Sequence, residues 1–136
     1  MSSNYCFLCS HRADMKNLLL IDDDSINNFV NKELIKRKYP DVSMVSFESP
    51  LFALNYLSED SITEPDLILL DLNMPLLNGW EFMEELQKRN KWFKVAILTS
   101  SINPQDKERS EAFDMVQGFL VKPIDLDKLA ELKAVL

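Results

Sequence analysis

Three consecutive carboxylates, Asp22, Asp23 and Asp24, follow directly on the apolar run "LLLI" at 18–21. Neighbouring carboxylates repel by roughly 3 kcal/mol per pair at about 5–6 Å and an effective dielectric near 20. Solvent or a cation has to relieve that repulsion. Three other apolar runs also end in chemically able residues: "DLILL" (66–70) in Asp71, "VAIL" (95–98) in Thr99, Ser100 and Ser101, and "GFLV" (118–121) in Lys122 and Pro123. Carboxylates, one hydroxyl and one ammonium are the groups that phosphoryl transfer to a carboxylate requires. Mg2+ takes about six oxygen ligands and uses few protein carboxylates, which leaves room for water and phosphate oxygens. Asp22 and Asp23 supply the negative charge, and Asp71 both touches the metal and attacks phosphorus. Thr99 and Lys122 face the charge that spreads over the transferring oxygens. On this reading the acidic cluster is a metal seat. Each residue alone has a plainer reading: Asp24, before Ser25, as a helix cap, Thr99 as a strand-end turn residue, Lys122 as a solvated lysine. Four matching run ends carry the argument where no single one does.

Elements that alternate must bring these residues together. "NLLLI" (17–21), "DLILL" (66–70), "VAIL" (95–98) and "GFLV" (118–121) have the length and apolarity of buried strands, and the more polar "VSMVSF" (42–47) suits a sheet edge. Between them, "SINNFVNKELIKRK" (25–38) sets Ile26, Phe29, Val30 and Leu34 at helical spacing and stops at Tyr39-Pro40. "SPLFALNYL" (49–57) opens with an N-cap serine and a proline at the first helical position. "NGWEFMEELQKR" (78–89) puts Trp80, Met83 and Leu86 on one face. "NPQDKERSEAFDMV" (103–116) stays polar until Ala112 and Phe113, and "DLDKLAELKAVL" (125–136) aligns Leu126, Leu129, Leu132 and Leu136. Five strands alternating with five helices predict an α/β fold: a doubly wound, five-stranded parallel sheet with right-handed crossovers and helices on both faces. In such a sheet all four run ends lie on one edge, outside the carboxyl ends of the strands, where open α/β folds place their ligands.

A chain of 136 residues has room for one domain, and its hydrophobic (46%) and charged (27%) shares describe a folded globular chain. The formal charge of −7, with no run of Lys and Arg, argues against nucleic-acid and anionic-membrane partners. No apolar stretch approaches 18 residues and no signal-peptide pattern is present, so a cytoplasmic location is expected. Residues 1–15, up to the second methionine Met15, show no period of either kind and are expected to form a mobile extension ahead of a domain at 16–136. Cys6 and Cys9 are too few to staple a fold. With His11 they have partial zinc-ligand spacing, but a structural site takes four ligands.

With these residues in place, the chain resembles the receiver domain of bacterial two-component response regulators over 16–136. The most specific piece is "DLNMPLLNGWEF", similar to the family pattern of an acceptor Asp, then Met-Pro, then Gly eight residues after the Asp: Asp71, Met74, Pro75 and Gly79. Asp22-Asp23, Thr99 and Lys122-Pro123 fall at the expected strand ends in the expected order. The resemblance implies the flavodoxin-like strand order 2-1-3-4-5 and Asp71 as phosphoacceptor. It implies Mg2+ held by Asp22, Asp23, Asp71 and the backbone carbonyl of Asn73. Lys122 and Thr99 then contact the phosphoryl group, Thr99 and Phe119 switch, and Ser100 and Pro123 support signalling. The family usually keeps a cis peptide at the position of Lys122-Pro123, which would aim the lysine inward, and tunes phosphoryl lifetime at the positions of Asn73 and Ser101. It also implies a histidine kinase or phosphotransfer protein as phosphohistidine donor, and a downstream protein docking on a switched face formed by the fourth helix, the strand of Phe119 and the last helix. A monomer or weak homodimer is expected. Because the chain ends within its last helix, a stand-alone receiver without output domain is expected, a signalling protein and not a turnover enzyme.

Two rivals use similar groups. A phosphohydrolase of the haloacid dehalogenase type places its nucleophile in an Asp-x-Asp pattern after the first strand and its acidic pair late, the reverse of the order here. A degenerate receiver that binds partners without phosphorylation is the remaining alternative. It would lack Mg2+ binding.

Overall fold

The computed structural model describes residues 17–134; the expected extension at 1–15, with Cys6, Cys9 and His11, lies outside them. Ten elements alternate along the chain: β1 (Asn17–Ile21), α1 (Ser25–Lys38), β2 (Ser43–Phe47), α2 (Pro50–Ser58), β3 (Leu67–Asp71), α3 (Gly79–Lys88), β4 (Val95–Thr99), α4 (Pro104–Ser110), β5 (Val116–Val121) and α5 (Leu126–Ala134). The strands form one sheet in the order β2-β1-β3-β4-β5, with every neighbouring pair parallel. This is the expected order and fold class.

Strand alternation sorts the core into two layers. Leu19, Ile21, Ile68, Leu70, Val95 and Ile97 face α2 and α3, where Ala53, Leu54, Leu57, Phe82, Met83 and Leu86 close over them. Leu18, Leu20, Leu67, Leu69, Ala96 and Leu98 face the other way, toward Ile35 of α1 and Leu129 of α5. α4 lies beside α3: the guanidinium of Arg109 sits 4.7 Å over the ring of Trp80, and Trp80 stacks on Phe113 at 5.9 Å.

Local sequence explains most helix ends. Ser49 accepts from the Phe52 N–H, and Pro50 takes the first position of α2. Asn78 and Glu81 form a reciprocal capping box at the start of α3. That helix ends with Asn90 in the left-handed region (φ 56°), where the Lys91 N–H reaches the Leu86 carbonyl at 2.9 Å and the Asn90 N–H reaches that of Gln87 at 3.0 Å.

Three expectations need correction. Three of the four spaced apolar positions of α1 do not face inward: Ile26, Phe29 and Val30 are exposed, whereas Leu34 is half-buried against the core layer of Leu18 and Leu20, and Asn28, Asn31 and Ile35 are buried. The fourth helix stops at Ser110 instead of continuing to 116, because Phe113 and Met115, two residues apart, both turn toward the core. The run at 118–121 is not a fully buried strand. It belongs to β5, which starts at Val116, lies at the sheet edge and is largely half-buried.

Candidate functional site

The register of the sheet builds the site. Ile21 pairs with Leu70, which brings Asp22 level with Asp71; Asp71 pairs with Leu98; Thr99 pairs with Val121, so that Lys122 follows at once. Side chains separated by up to 100 positions thereby meet at one rim. Lys122 Nζ donates to Asp22 Oδ2 at 2.8 Å and lies 3.6 Å from Asp71 Oδ1. Asp22, Asp23 and Asp71 each offer a carboxylate oxygen, all within 4.8 Å of one another. Asp22 and Asp71 are buried and Asp23 is exposed, so the cluster opens to solvent on one side.

Asp24 takes the plainer of its two readings. It caps α1, accepting from the Ile26 N–H at 2.9 Å and the Asn27 N–H at 3.4 Å. Its own N–H donates to Asp22 Oδ1 at 2.9 Å, so the cap also steadies the carboxylate before it. Asp71 accepts from the Asn73 N–H at 3.3 Å. Burial pushes the Asp71 carboxyl up to about 6, with the charge of Asp22 acting in the same direction; Lys122 and the Asn73 N–H oppose this, and Asp23 adds a smaller upward push. One ammonium does not balance three carboxylates. A divalent cation fits this donor set because it adds the missing positive charge where the oxygens already converge.

Thr99 is fully buried, and its Oγ1 accepts from the Ser101 N–H at 3.1 Å. The Lys122 N–H donates to the Thr99 carbonyl at 2.8 Å, which joins β4 to the start of the Lys122 loop. The Lys122-Pro123 peptide is cis. Pro123 is exposed, and its carbonyl accepts from Lys128 Nζ at 2.9 Å. Ser100 is exposed just past the strand end. Phe119 lies three residues back from the rim, paired with Ile97 and half-buried against the α2–α3 core layer. Gly79 begins α3 where a Cβ would come 2.8 Å from the Asp71 carbonyl oxygen and 2.9 Å from Leu72 Cα. Only glycine permits that approach, which docks α3 against the strand end carrying Asp71.

Asn28 and Asn31 escaped the sequence reading. Asn28 Nδ2 donates to the Asp22 carbonyl at 2.9 Å and to the Phe47 carbonyl at 3.4 Å. The available signal was a pair of asparagines three apart in a helix that opens beside an acidic cluster, but it did not say which side of the helix was inside.

Fold and rim together define a signalling class: a parallel α/β sheet whose carboxyl edge carries an acidic cluster bridged by a lysine. The family model for the response regulator receiver domain matches residues 18–133, and the chain belongs to that family. A two-component response regulator from Cytophaga hutchinsonii superposes with a TM-score of 0.77 at 33% identity, covering 88% of this chain and 94% of that one. The Mn(2+)-bound form of response regulator Rcp1 superposes with a TM-score of 0.70 at 28% identity, covering 86% and 88%. Rcp1 of Synechocystis is 31% identical over 97 residues, 67% of this chain and 66% of that protein. Against a probable transcriptional regulator, ycf29, from Porphyra purpurea, the identity is 28% over 119 residues, and the chain spans about half (54%) of that relative's length. Receiver domains are typically signalling modules rather than turnover enzymes. Among the described residues no helix is long and apolar enough to cross a membrane.

Proposed function

We propose that this chain is a Mg2+-dependent phosphoacceptor that takes a phosphoryl group from a phosphohistidine donor onto Asp71 and thereby alters a partner-binding face. One observation carries the reading: the carboxylates of Asp22, Asp23 and Asp71 converge within 4.8 Å, with Lys122 Nζ against two of them. Asp22, Asp23, Asp71 and the Asn73 carbonyl would hold the metal. Bound there, Mg2+ would neutralise charge shared by the carboxylates and the phosphoryl oxygens. An Asp71 carboxylate oxygen forms the new bond to phosphorus as the donor's P–N bond breaks, and the electron pair of that bond returns to the histidine nitrogen. Lys122 contacts the transferred group. Thr99 turns its hydroxyl toward that group, giving up the Ser101 N–H, and Phe119 follows inward, with Ser100 and Pro123 supporting the loops on either side.

Several features support the partners. Ile26, Phe29 and Val30 are exposed on α1, and Leu76 and Ile102 on the loops after β3 and β4. These apolar side chains belong to the helix and loops that follow the rim strands, on which a phosphodonor protein, a histidine kinase or phosphotransfer domain, would dock. Only Ser110 of α4 is buried, so the helix of the expected output face is lightly held. The reading includes a cytoplasmic protein, monomeric or weakly dimeric. A full set of residue types at one rim speaks against a module that works without phosphorylation.

The test is phosphorylation by acetyl phosphate or phosphoramidate, followed by intact-mass and peptide mass spectrometry. The expected result is one phosphoryl group per chain, dependent on Mg2+, located on the peptide containing Asp71 and lost in Asp71→Asn. Equal labelling of that variant moves the acceptor elsewhere, and absence of both labelling and Mg2+ binding favours the phosphorylation-independent module.

A further inference from the structure

The buried asparagines of α1 point to a site that the phosphoacceptor chemistry does not use directly. Between α1 and the sheet, behind the acidic cluster, lies a pocket of about 10 Å3. Its polar wall is Asp22, Asn28, Asn31 and Asp71, and its apolar wall comes from β1, β3 and β4. That volume matches one water molecule. Asn28 is 4% exposed, and its Oδ1 is the one buried side-chain nitrogen or oxygen atom among the described residues with no hydrogen-bond partner.

The orientation of the Asn28 carboxamide follows from its contacts. Its nitrogen donates to the carbonyls of Asp22 and Phe47, and the Asp22 N–H donates to the same Phe47 carbonyl at 3.1 Å. Turning the group over would set its oxygen against two carbonyl oxygens. The oxygen is therefore fixed opposite the β1–β2 clip, as an acceptor with nothing to accept. Asn31, one turn further along α1 and 8% exposed, lines the same pocket, and its carboxamide carries both a donor and an acceptor. Two apolar side chains here would have packed on the sheet without leaving any polar group to satisfy.

We propose that this pocket binds a single ordered water, held by Asn28 Oδ1, the Asn31 carboxamide and the carboxylate wall, and that Asn28 and Asn31 are positioning residues which set Asp22 at the rim. The water donates to Asn28 Oδ1 and to a carboxylate, and accepts from Asn31. No bond is made or broken. The positioning half rests on the metal reading above, whereas the hydration half does not.

The experiment uses the full chain, labelled with nitrogen-15, and two readouts. Long-lived water is detected by cross-relaxation to the side-chain amide protons of Asn28 and Asn31, and Mg2+ binding is measured by calorimetry. The expected result is a water contact to both amides without metal present. Its absence overturns the hydration site. Asn31→Leu, which fills the pocket, is expected to remove the contact and weaken Mg2+ binding about tenfold, the size of one lost hydrogen bond to a charged group. Asn31→Ser, which keeps a hydroxyl and admits water, is expected to restore most of that affinity. If Asn31→Leu folds and binds Mg2+ as the parent does, the positioning role is wrong, and the hydration site stands or falls on the water contact alone. If the parent shows the water but no Mg2+ affinity, the metal reading fails together with the positioning role and the hydration site stands.

Discussion

The β1–α1 and β3–α3 units both deliver a site carboxylate and then a helix, yet α1 buries two amides beside Ile35 where α3 buries no polar side chain. α3 turns Trp80, Phe82, Met83 and Leu86 to the core. Its ends are fixed by its own sequence, through the Asn78–Glu81 capping box and the Asn90 turn. α1 turns Asn28 and Asn31 inward and leaves Ile26, Phe29 and Val30 in solvent. A helix whose apolar stripe meets a sheet is explained by folding alone. A helix with buried amides and an apolar exterior gives up packing energy: its inner face meets the acidic corner, and its outer face leaves three apolar side chains in solvent.

The sharpest way to break this contrast is to remove apolar bulk from each helix. Phe82→Ala in α3, at a fully buried position, is expected to cost about 3–5 kcal/mol in urea denaturation. A loss under about 1 kcal/mol would mean that α3 does not anchor its layer. A smaller effect is expected at the β3 corner. Because the folded chain holds the Asp71 proton to about pH 6 against an ordinary value of 3.8, it binds more protons than the unfolded chain between those values. Metal-free stability therefore falls as pH rises through that window and stays at the lower level above it. Asp71→Asn removes this penalty, so the variant should be more stable than the parent by about 1–2 kcal/mol at pH 7, solvent screening included, and the two should converge near pH 4. Parallel curves across that range would show that Asp71 does not carry the strain. The smallest stability effect belongs to α1. Phe29→Ser, at 65% exposure, is expected to move the midpoint by no more than about 0.5 kcal/mol. The same change is expected to slow transfer from a phosphohistidine protein by about tenfold, the loss of one good interface anchor, with labelling by acetyl phosphate unchanged. Equal slowing with both donors would place the defect inside the site and not on the outer face of α1.

Much of the molecule was legible because its signals are local. Apolar runs of strand length gave β1, β3 and β4, and what ended each run gave Asp22, Asp71 and Thr99 before any register was known. Ser49-Pro50 announced α2 through cap chemistry within four residues. What escaped depended on distant partners. Periodicity groups the residues of a helix that share a side, but it does not say which side is covered. In α1 that was decided by the Asp22 and Phe47 carbonyls, the second of them 19 positions from Asn28. The end of α4 escaped for a similar reason. Phe113 reads as one more helical residue until Trp80, 33 positions earlier, is known to lie against its ring.

That stack also gives the chain its own optical gauge. Two tryptophans are present: Trp92 is 56% exposed and open to aqueous quenchers, whereas Trp80 is 6% exposed with the Arg109 guanidinium above its ring. Any displacement of α4 from α3 lifts a cation off the indole and admits water in its place. The emission of the protected tryptophan, with iodide silencing the other, therefore reads the position of α4 in real time and without a dye.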